Sequence, residues 1–191
     1  MNAYESFSHS LVRSKLWLCE QLEQVLDNES INNPAVNILA SWDSLLAFMM
    51  LTRRPKFYGV VNAYDVDSDA IENANKLCDH WIFEYPKVYN HTKDINTLDF
   101  SSTGNESIFI NCSVDQLDGT EWYDIIPDNR LVCLQTTNLP LSTTEWNIKQ
   151  SYVDKSLFSK TYAVRRLIYC DSIDINYGHL NFKRHMMIGI K

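Results

Sequence analysis

FYGVVNAY, residues Phe57–Tyr64, is an apolar run of β-branched and aromatic residues that ends in the acidic cluster Asp65-Val66-Asp67. Such a run predicts a buried strand, and the residues that follow predict a helix over Asp69–His80, with Asp67 or Ser68 as its cap. In an open α/β sheet, ligands bind outside the carboxyl ends of the strands, where a carboxylate can accept hydrogen bonds from the hydroxyls of a ribose. This stretch therefore predicts an α/β unit that binds a nucleoside-containing cofactor.

Strands and helices alternate on both sides of this unit. The hydrophobic pattern predicts a helix over Leu11–Leu26, a helix that opens in Ser41–Ser44 and runs through Arg53, and a short helix over Asp118–Ile126. It predicts strands over Ala35–Ala40, Trp81–Phe83, Val88–His91, Glu106–Asn111, Arg130–Gln135, Ala163–Asp171 and Asn181–Ile190. Leu139–Lys160 is predicted to be a long connection with one short helix. Such alternation requires a mostly parallel sheet, and Asn176-Tyr177-Gly178 predicts a turn that makes the last two strands an antiparallel hairpin.

Length, composition and charge fit one globular domain. The chain has 191 residues, 45% of them hydrophobic, which is enough to bury a full core. We expect a helical lead over residues 1–33 and an α/β core over residues 34–191. The net charge of −7 argues against a broad nucleic-acid surface, although Arg53-Arg54 and Arg165-Arg166 leave a local basic patch open. Without an apolar run of membrane-spanning length or a signal-peptide pattern, we expect a cytoplasmic protein with no membrane partner.

The cysteines and histidines do not predict a metal or redox site. None of the five cysteines forms a CxxC pair, and each lies among apolar residues, so we expect buried reduced thiols. Cys112 is the best candidate for the alternative, a catalytic thiol, because it follows a predicted strand. The histidines lack the spacing of metal ligands, and we expect no metal site.

Several polar residues follow the predicted strands, at the edge of the sheet where ligands bind. They are Ala40–Ser44 after the first strand, Asp65 and Asp67 after the second, Asp94-Ile95 after the third, Asn111–Asp115 after the fourth and Thr136–Asn138 after the fifth.

With these positions, the chain resembles the class I S-adenosylmethionine-dependent methyltransferases, and within them small methyltransferases of phages and bacteria. The matching segments are NILASWDSLLA, AYDVDSDAIENANKL, KDI, INCSVDQL and the final RHMMIGIK, which together extend from about Val36 to Lys191. The resemblance implies a three-layer, Rossmann-like α/β fold with a mostly parallel sheet and a C-terminal antiparallel hairpin. It also implies S-adenosyl-L-methionine as the cofactor.

The resemblance assigns cofactor contacts to the ends of the first three strands. Asp65, with Asp67 as the fallback, matches the residue that binds the ribose, and Asp94 matches the residue that meets the adenine amino group. Ala40, Ser41 and Trp42 match the first cofactor loop, where Trp42 is either a lid on the cofactor or a core aromatic. The acidic residues also have simpler interpretations. Asp65 and Asp67 can be a helix N-cap and its neighbour, and Asp94 can be a turn former.

The end of the fourth strand is where the acceptor of the methyl group is expected. Asn111, which also matches a cofactor contact, and Ser113 can hold a polar acceptor by hydrogen bonds, and Asp115 is either a general base or a solvated loop acid. The sequence Asn111-Cys112-Ser113 is not the Asn/Asp-Pro-Pro-Tyr/Phe signature of enzymes that methylate amino groups of nucleic-acid bases. We therefore expect a small or polar acceptor.

The first loop departs from the family pattern because it has no glycine between Ala35 and Lys56. Glycines let the backbone approach a cofactor closely. Three functions therefore stay open: methyl transfer, another reaction of the same cofactor such as aminocarboxypropyl transfer or cofactor cleavage, and a catalytically inactive binding or scaffold protein of the same fold.

Overall fold

One mixed sheet organises residues 7–79, 88–143 and 146–191, the parts of the chain that the computed structural model describes. Its strands are β1 (Val36–Leu39), β2 (Val61–Asp65), β3 (Val88–Thr92), β4 (Ile108–Asn111), β5 (Leu131–Thr137), β6 (Arg166–Tyr177) and β7 (Leu180–Ile190). Their order across the sheet is β3-β2-β1-β4-β5-β7-β6. The first five strands are parallel to one another, and β7 runs antiparallel between β5 and β6.

The helices connect these strands. They are α1 (His9–Asn28), α2 (Leu45–Arg53), α3 (Ser68–Asp79), α4 (Glu121–Asp124) and α5 (Lys155–Thr161), with short 3-10 turns at Ile95–Thr97 and Val114–Gln116. Within the described residues, no helix is long and apolar enough to cross a membrane.

Alternate residues of the central strands enter two separate cores, because successive side chains of a strand point to opposite faces of the sheet. The core beneath α1 and α2 takes Ile38, Ile110, Cys133 and Ile188. The core beneath α4 and α5 takes Leu39, Phe109, Val132 and Met187. Burial on both faces explains why β1, β4 and β5 are buried at every position and mostly apolar, without a regular alternation of polar residues. The predicted three-layer α/β fold with a C-terminal antiparallel hairpin is confirmed.

Helix α1 is hydrogen-bonded to strands β5 and β6. The Ser10 hydroxyl donates to the carbonyl of Asn176, and an Arg13 Nη1 donates to the carbonyl of Asp174 at 3.0 Å. The Ser14 hydroxyl donates to Oε1 of Gln135 on β5 at 3.3 Å. Gln135, near the end of β5, is therefore bonded to α1.

Several predicted boundaries are wrong. The second strand begins at Val61 and not at Phe57, and β6 extends to Tyr177. Helix α2 begins at Leu45, although the sequence predicts its opening in Ser41–Ser44, and the helix predicted over Asp118–Ile126 shrinks to Glu121–Asp124. The predicted strand Trp81–Phe83 lies outside the described residues.

The sheet has a topological switch point at β1, which pairs with β2 on one side and with β4 on the other. The connections that leave the carboxyl ends of β1 and β4 therefore diverge, and they leave a crevice between them.

Candidate active site

A cavity of about 440 Å³ opens at this edge of the sheet. Its walls come from the ends of β1, β2 and β4, from the start of β7, from α1 and from the segment after β5. The lining residues are Leu11, Lys15, Ala40, Trp42, Asp65, Val66, Asp67, Cys112, Ser113, Asp115, Gln116, Leu117, Trp146, Asn147 and Arg184. The volume lies in the range of cavities that hold small organic ligands.

Asp65 is the last residue of β2, and the backbone fixes its carboxylate at the cavity wall. One carboxylate oxygen accepts a hydrogen bond from the N–H of Trp42 at 2.7 Å, and the other accepts from the N–H of Asp67 at 3.0 Å. Each oxygen can accept a further bond. The carboxylate is thus held in one orientation with capacity left for two hydroxyl donors.

The loop between β1 and α2 has an unusual backbone. Ala40, Trp42 and Ser44 all adopt the left-handed conformation, with φ of 51°, 52° and 57°. This conformation costs a non-glycine residue roughly 1–2 kcal/mol, so surrounding contacts must impose it. The Trp42 bond to Asp65 is one such contact, and the Ser44 hydroxyl donates to Oδ1 of Asn90 on β3 at 2.6 Å. The loop therefore adopts, at alternate positions, the backbone that glycines favour.

Neighbouring side chains of this loop are buried. Asp43 accepts a hydrogen bond from the N–H of Leu45 at 3.2 Å, so its carboxylate satisfies a backbone donor in the first turn of α2. Ser41 donates its N–H to the carbonyl of Tyr64 at 2.9 Å, and its buried hydroxyl has no partner among the described residues.

The turn after β4 is organised by Asn111. Its side-chain oxygen accepts the N–H of Ser113 at 2.9 Å, and its buried Nδ2 has no partner within the described part of the chain. Ser113 lines the cavity. The turn therefore presents a hydroxyl to the cavity and keeps an unused amide donor behind it.

Asp115 and Arg184 form a buried ion pair at the cavity wall. Oδ1 of Asp115 lies 3.6 Å from an Arg184 Nη1, and Oδ2 accepts from the Thr137 hydroxyl at 3.3 Å. Another Arg184 nitrogen donates to the carbonyl of Cys112. Burial raises the pKa of the Asp115 carboxyl above its usual value, and the nearby guanidinium opposes that rise. A carboxyl with a raised pKa at a cavity wall is a candidate for proton transfer.

The predicted site residues fall into two groups. Ala40, Trp42, Asp65, Asp67, Ser113 and Asp115 line the cavity, and Ser41, Asp94 and Asn111 are not among its lining residues. Asp94 is exposed, and its carboxylate accepts the backbone N–H of Asn96 at 2.9 Å as the cap of the 3-10 turn. The role of each residue stays a prediction. Among the described residues, no group of three or more His, Cys, Asp or Glu side chains could hold a metal ion.

Three cavity residues carry no motif that predicts a site, namely Lys15, Trp146 and Arg184. Lys15 had a detectable signal, since it lies at helical spacing within the apolar stripe of Leu11, Leu18 and Leu22. A lysine on such a stripe indicates a buried charge or a cavity. Trp146 and Arg184 come from a loop and from the hairpin, and no local pattern places them together.

Comparisons with known proteins support the fold alone. No protein-family model matches this chain, and no curated protein matches it. The magnesium protoporphyrin IX methyltransferase of Synechocystis PCC 6803 with bound SAM is similar with a TM-score of 0.61 and 8% identity, over 94% of this chain and 81% of that protein. Its structure with SAH gives a TM-score of 0.63 at 9% identity, over 94% and 84%. The YcgJ protein of Bacillus subtilis gives 0.63 at 10% identity, over 90% and 98%.

Proposed function

We propose that this protein, whose fold is that of the class I S-adenosylmethionine-dependent methyltransferases, transfers a methyl group from S-adenosylmethionine to a small or polar acceptor. The observation that carries the proposal is the Asp65 carboxylate. It ends β2 at the cavity wall, it is oriented by the N–H groups of Trp42 and Asp67, and it retains the acceptor capacity that ribose hydroxyls require.

The residues of the cavity fit this cofactor. The left-handed backbone at Ala40, Trp42 and Ser44 follows the path that glycines would take, and Asp65 lies beside it. The buried Nδ2 of Asn111 is an unused donor close to the same edge. In this assignment Asp65 binds the ribose, Ala40 and Trp42 form the wall beside the methionine part, and Asp94 stays the predicted adenine contact.

When bound, S-adenosylmethionine supplies a methyl group on a sulfonium, which is a strong electrophile. The chain's own residues then have two tasks, namely to orient the acceptor and to exclude water. Ser113 can donate a hydrogen bond to a polar acceptor at the end of β4. Asp115, with its raised pKa, can take the proton that the acceptor loses.

Calorimetric titration with S-adenosylmethionine and S-adenosylhomocysteine tests the proposal. We expect both to bind, and Asp65→Ala to weaken binding by about 1–3 kcal/mol, because a charged hydrogen-bond acceptor is lost. Asp69→Ala is the matched control, since it removes an exposed carboxylate in the first turn of α3 that does not line the cavity. Equal affinities in all three proteins would contradict the assignment of Asp65.

A catalytically inactive binding protein is the second candidate, and Trp42 favours it. Its indole lines the cavity at a loop position where a glycine would leave open space. Absence of heat and of thermal stabilisation at millimolar S-adenosylmethionine would support this candidate. If the cofactor binds and turns over, the products separate the enzymatic alternatives: S-adenosylhomocysteine marks methyl transfer, and methylthioadenosine marks transfer of the aminocarboxypropyl arm.

A further inference from the structure

The side chain of Lys15 lies in the cavity wall and has no partner among the described residues. The residue is 8% exposed, it lines the cavity, and among the described residues its ammonium makes neither a hydrogen bond nor an ion pair. Lys15 Nζ is not one of the fully buried atoms that lack a partner, so the ammonium reaches the open cavity. An anionic group on a ligand in the cavity can pair with it through a charge-assisted hydrogen bond.

Arg184 supplies a second cation with unused donors. It is 8% exposed, and a guanidinium has five N–H donors. The Arg184 guanidinium donates to the carbonyl of Cys112 and lies near Asp115, but its buried Nε has no partner in the described part of the chain. Oδ1 of Asp115 lies 3.6 Å from Nη1, beyond hydrogen-bond distance, so that nitrogen keeps donors for another acceptor.

The two cations come from different elements. Lys15 lies on α1, and Arg184 lies on β7 opposite Thr137 of β5. The Arg184 guanidinium reaches back to the carbonyl of Cys112, directly after β4. Two strand spacings, about 10 Å, separate β4 from β2, which ends in Asp65. Arg184 therefore lies on the side of the cavity where the acceptor is expected, and Lys15 lines the same cavity.

The same side of the cavity has an apolar wall. Trp146 is 9% exposed, and its ring is packed 5.0 Å from Tyr177 and 5.4 Å from Phe182, centroid to centroid. Leu11 and Leu117 also line the cavity. An acceptor bound here meets two cations and a fixed aromatic surface.

We propose that Lys15 and Arg184 form a carboxylate-binding subsite, so that the acceptor is a small aromatic or apolar molecule that carries one carboxylate. This inference rests on the proposed function for the identity of the acceptor side. Asp65 and Asp67 also line the cavity, and their charges disfavour a doubly charged phosphate more than a singly charged carboxylate.

Titration with benzoate and with its neutral counterpart benzamide tests the subsite, in the absence and in the presence of saturating S-adenosylhomocysteine. We expect benzoate to bind and benzamide not to bind detectably. Lys15→Met should weaken benzoate binding about tenfold or more, because a charge-assisted hydrogen bond is lost. Lys15→Arg should restore most of the affinity. Lys160→Met is the matched control, since Lys160 is exposed on α5 and does not line the cavity.

Separate readouts distinguish failure of the subsite from failure of the proposed function. If S-adenosylhomocysteine does not bind the wild type, the methyltransferase proposal fails, and benzoate binding without it still tests the subsite. Equal benzoate affinity in the wild type and in Lys15→Met would overturn the subsite, and so would tighter binding of phenyl phosphate than of benzoate. A third contrary result is that Lys15→Met loses affinity for S-adenosylhomocysteine but keeps its affinity for 5′-methylthioadenosine. The last result would assign the lysine to the cofactor's own carboxylate.

Discussion

The carboxyl of Asp115 shows how one residue can be tuned by two opposing effects. Burial raises its pKa and is the larger influence, whereas Arg184, the Asp115 backbone and Thr137 lower it. Because the net shift is upward, the folded protein holds the Asp115 proton more tightly than the unfolded chain does. Its contribution to stability is therefore fully present below the usual value of 3.8 and is lost as the pH rises through the raised folded pKa.

This sign predicts the pH dependence of an Asp115→Asn variant. Relative to the variant, the wild type should lose free energy of unfolding as the pH rises above about 4, by up to about 1.4 kcal/mol per pH unit. Leaving Arg184 without its anion destabilises the variant, but this cost does not depend on pH in that range. Urea denaturation of both proteins between pH 4.5 and 7.5 measures the difference.

Asp118→Asn controls for the change in net charge, because Asp118 is an exposed carboxyl in the same loop. A wild-type advantage over Asp115→Asn that grows with pH would show that the pairing with Arg184 outweighs burial. The interpretation of Asp115 as a base with a raised pKa would then be wrong.

Some residues of the site could be predicted from the sequence, and others could not. Asp65 and Ser113 were found because each follows a strand, and strand ends share one edge of the sheet. Arg184 was not found, since its partners Cys112 and Asp115 lie about seventy positions away along the chain. Only the pairing of β7 with β5 brings them together.

At the scale of elements, the loop between β1 and α2 is the connection that most departs from local preference. The sequence predicts a helix that opens in Ser41–Ser44, and the structure has left-handed residues at Ala40, Trp42 and Ser44 before α2 begins at Leu45. Strands β2 and β3 hold these residues through Asp65 and Asn90. By contrast, α1, α3 and the hydrophobic strands follow local patterns and were predicted to within a few residues.

Ala40→Gly should therefore stabilise the protein by about 0.5–1 kcal/mol, because glycine adopts φ of 51° without strain. The control is Ala74→Gly in the middle of α3, where glycine should destabilise by about 1 kcal/mol or more. Chemical denaturation gives both free energies. If the two substitutions destabilise equally, the left-handed conformation at Ala40 carries no strain.

At the scale of the whole molecule, the buried thiols report on the integrity of the core. Cys19 and Cys133 are buried together in the core beneath α1 and α2. Burial raises the pKa of Cys19 to about 12 and raises the pKa of Cys133 well above its ordinary value. Cys78 and Cys170 are only partly buried. The expectation of reduced, buried thiols agrees with this arrangement for Cys19 and Cys133.

Alkylation with iodoacetamide at pH 8 should therefore label Cys78 and, more slowly, Cys170 in the native protein and leave Cys19 and Cys133 unmodified, because reaction requires an accessible thiolate. Cys170 reacts more slowly because partial burial raises its pKa. In 6 M guanidinium chloride all five cysteines should react. Mass spectrometry of peptides locates the labels. Rapid native labelling of Cys133 would mean that the sheet opens far more readily than its packing indicates.

The insertion of β7 between β5 and β6 has a consequence for synthesis. A ribosome delivers β6 before β7, and in the sheet β6 pairs with β7 alone. A nascent chain that has emerged only as far as β6 thus lacks the native partner of that strand, and it lacks the guanidinium of Arg184. The part of the cavity wall that Arg184 forms is therefore completed only after the second strand of the hairpin has been translated.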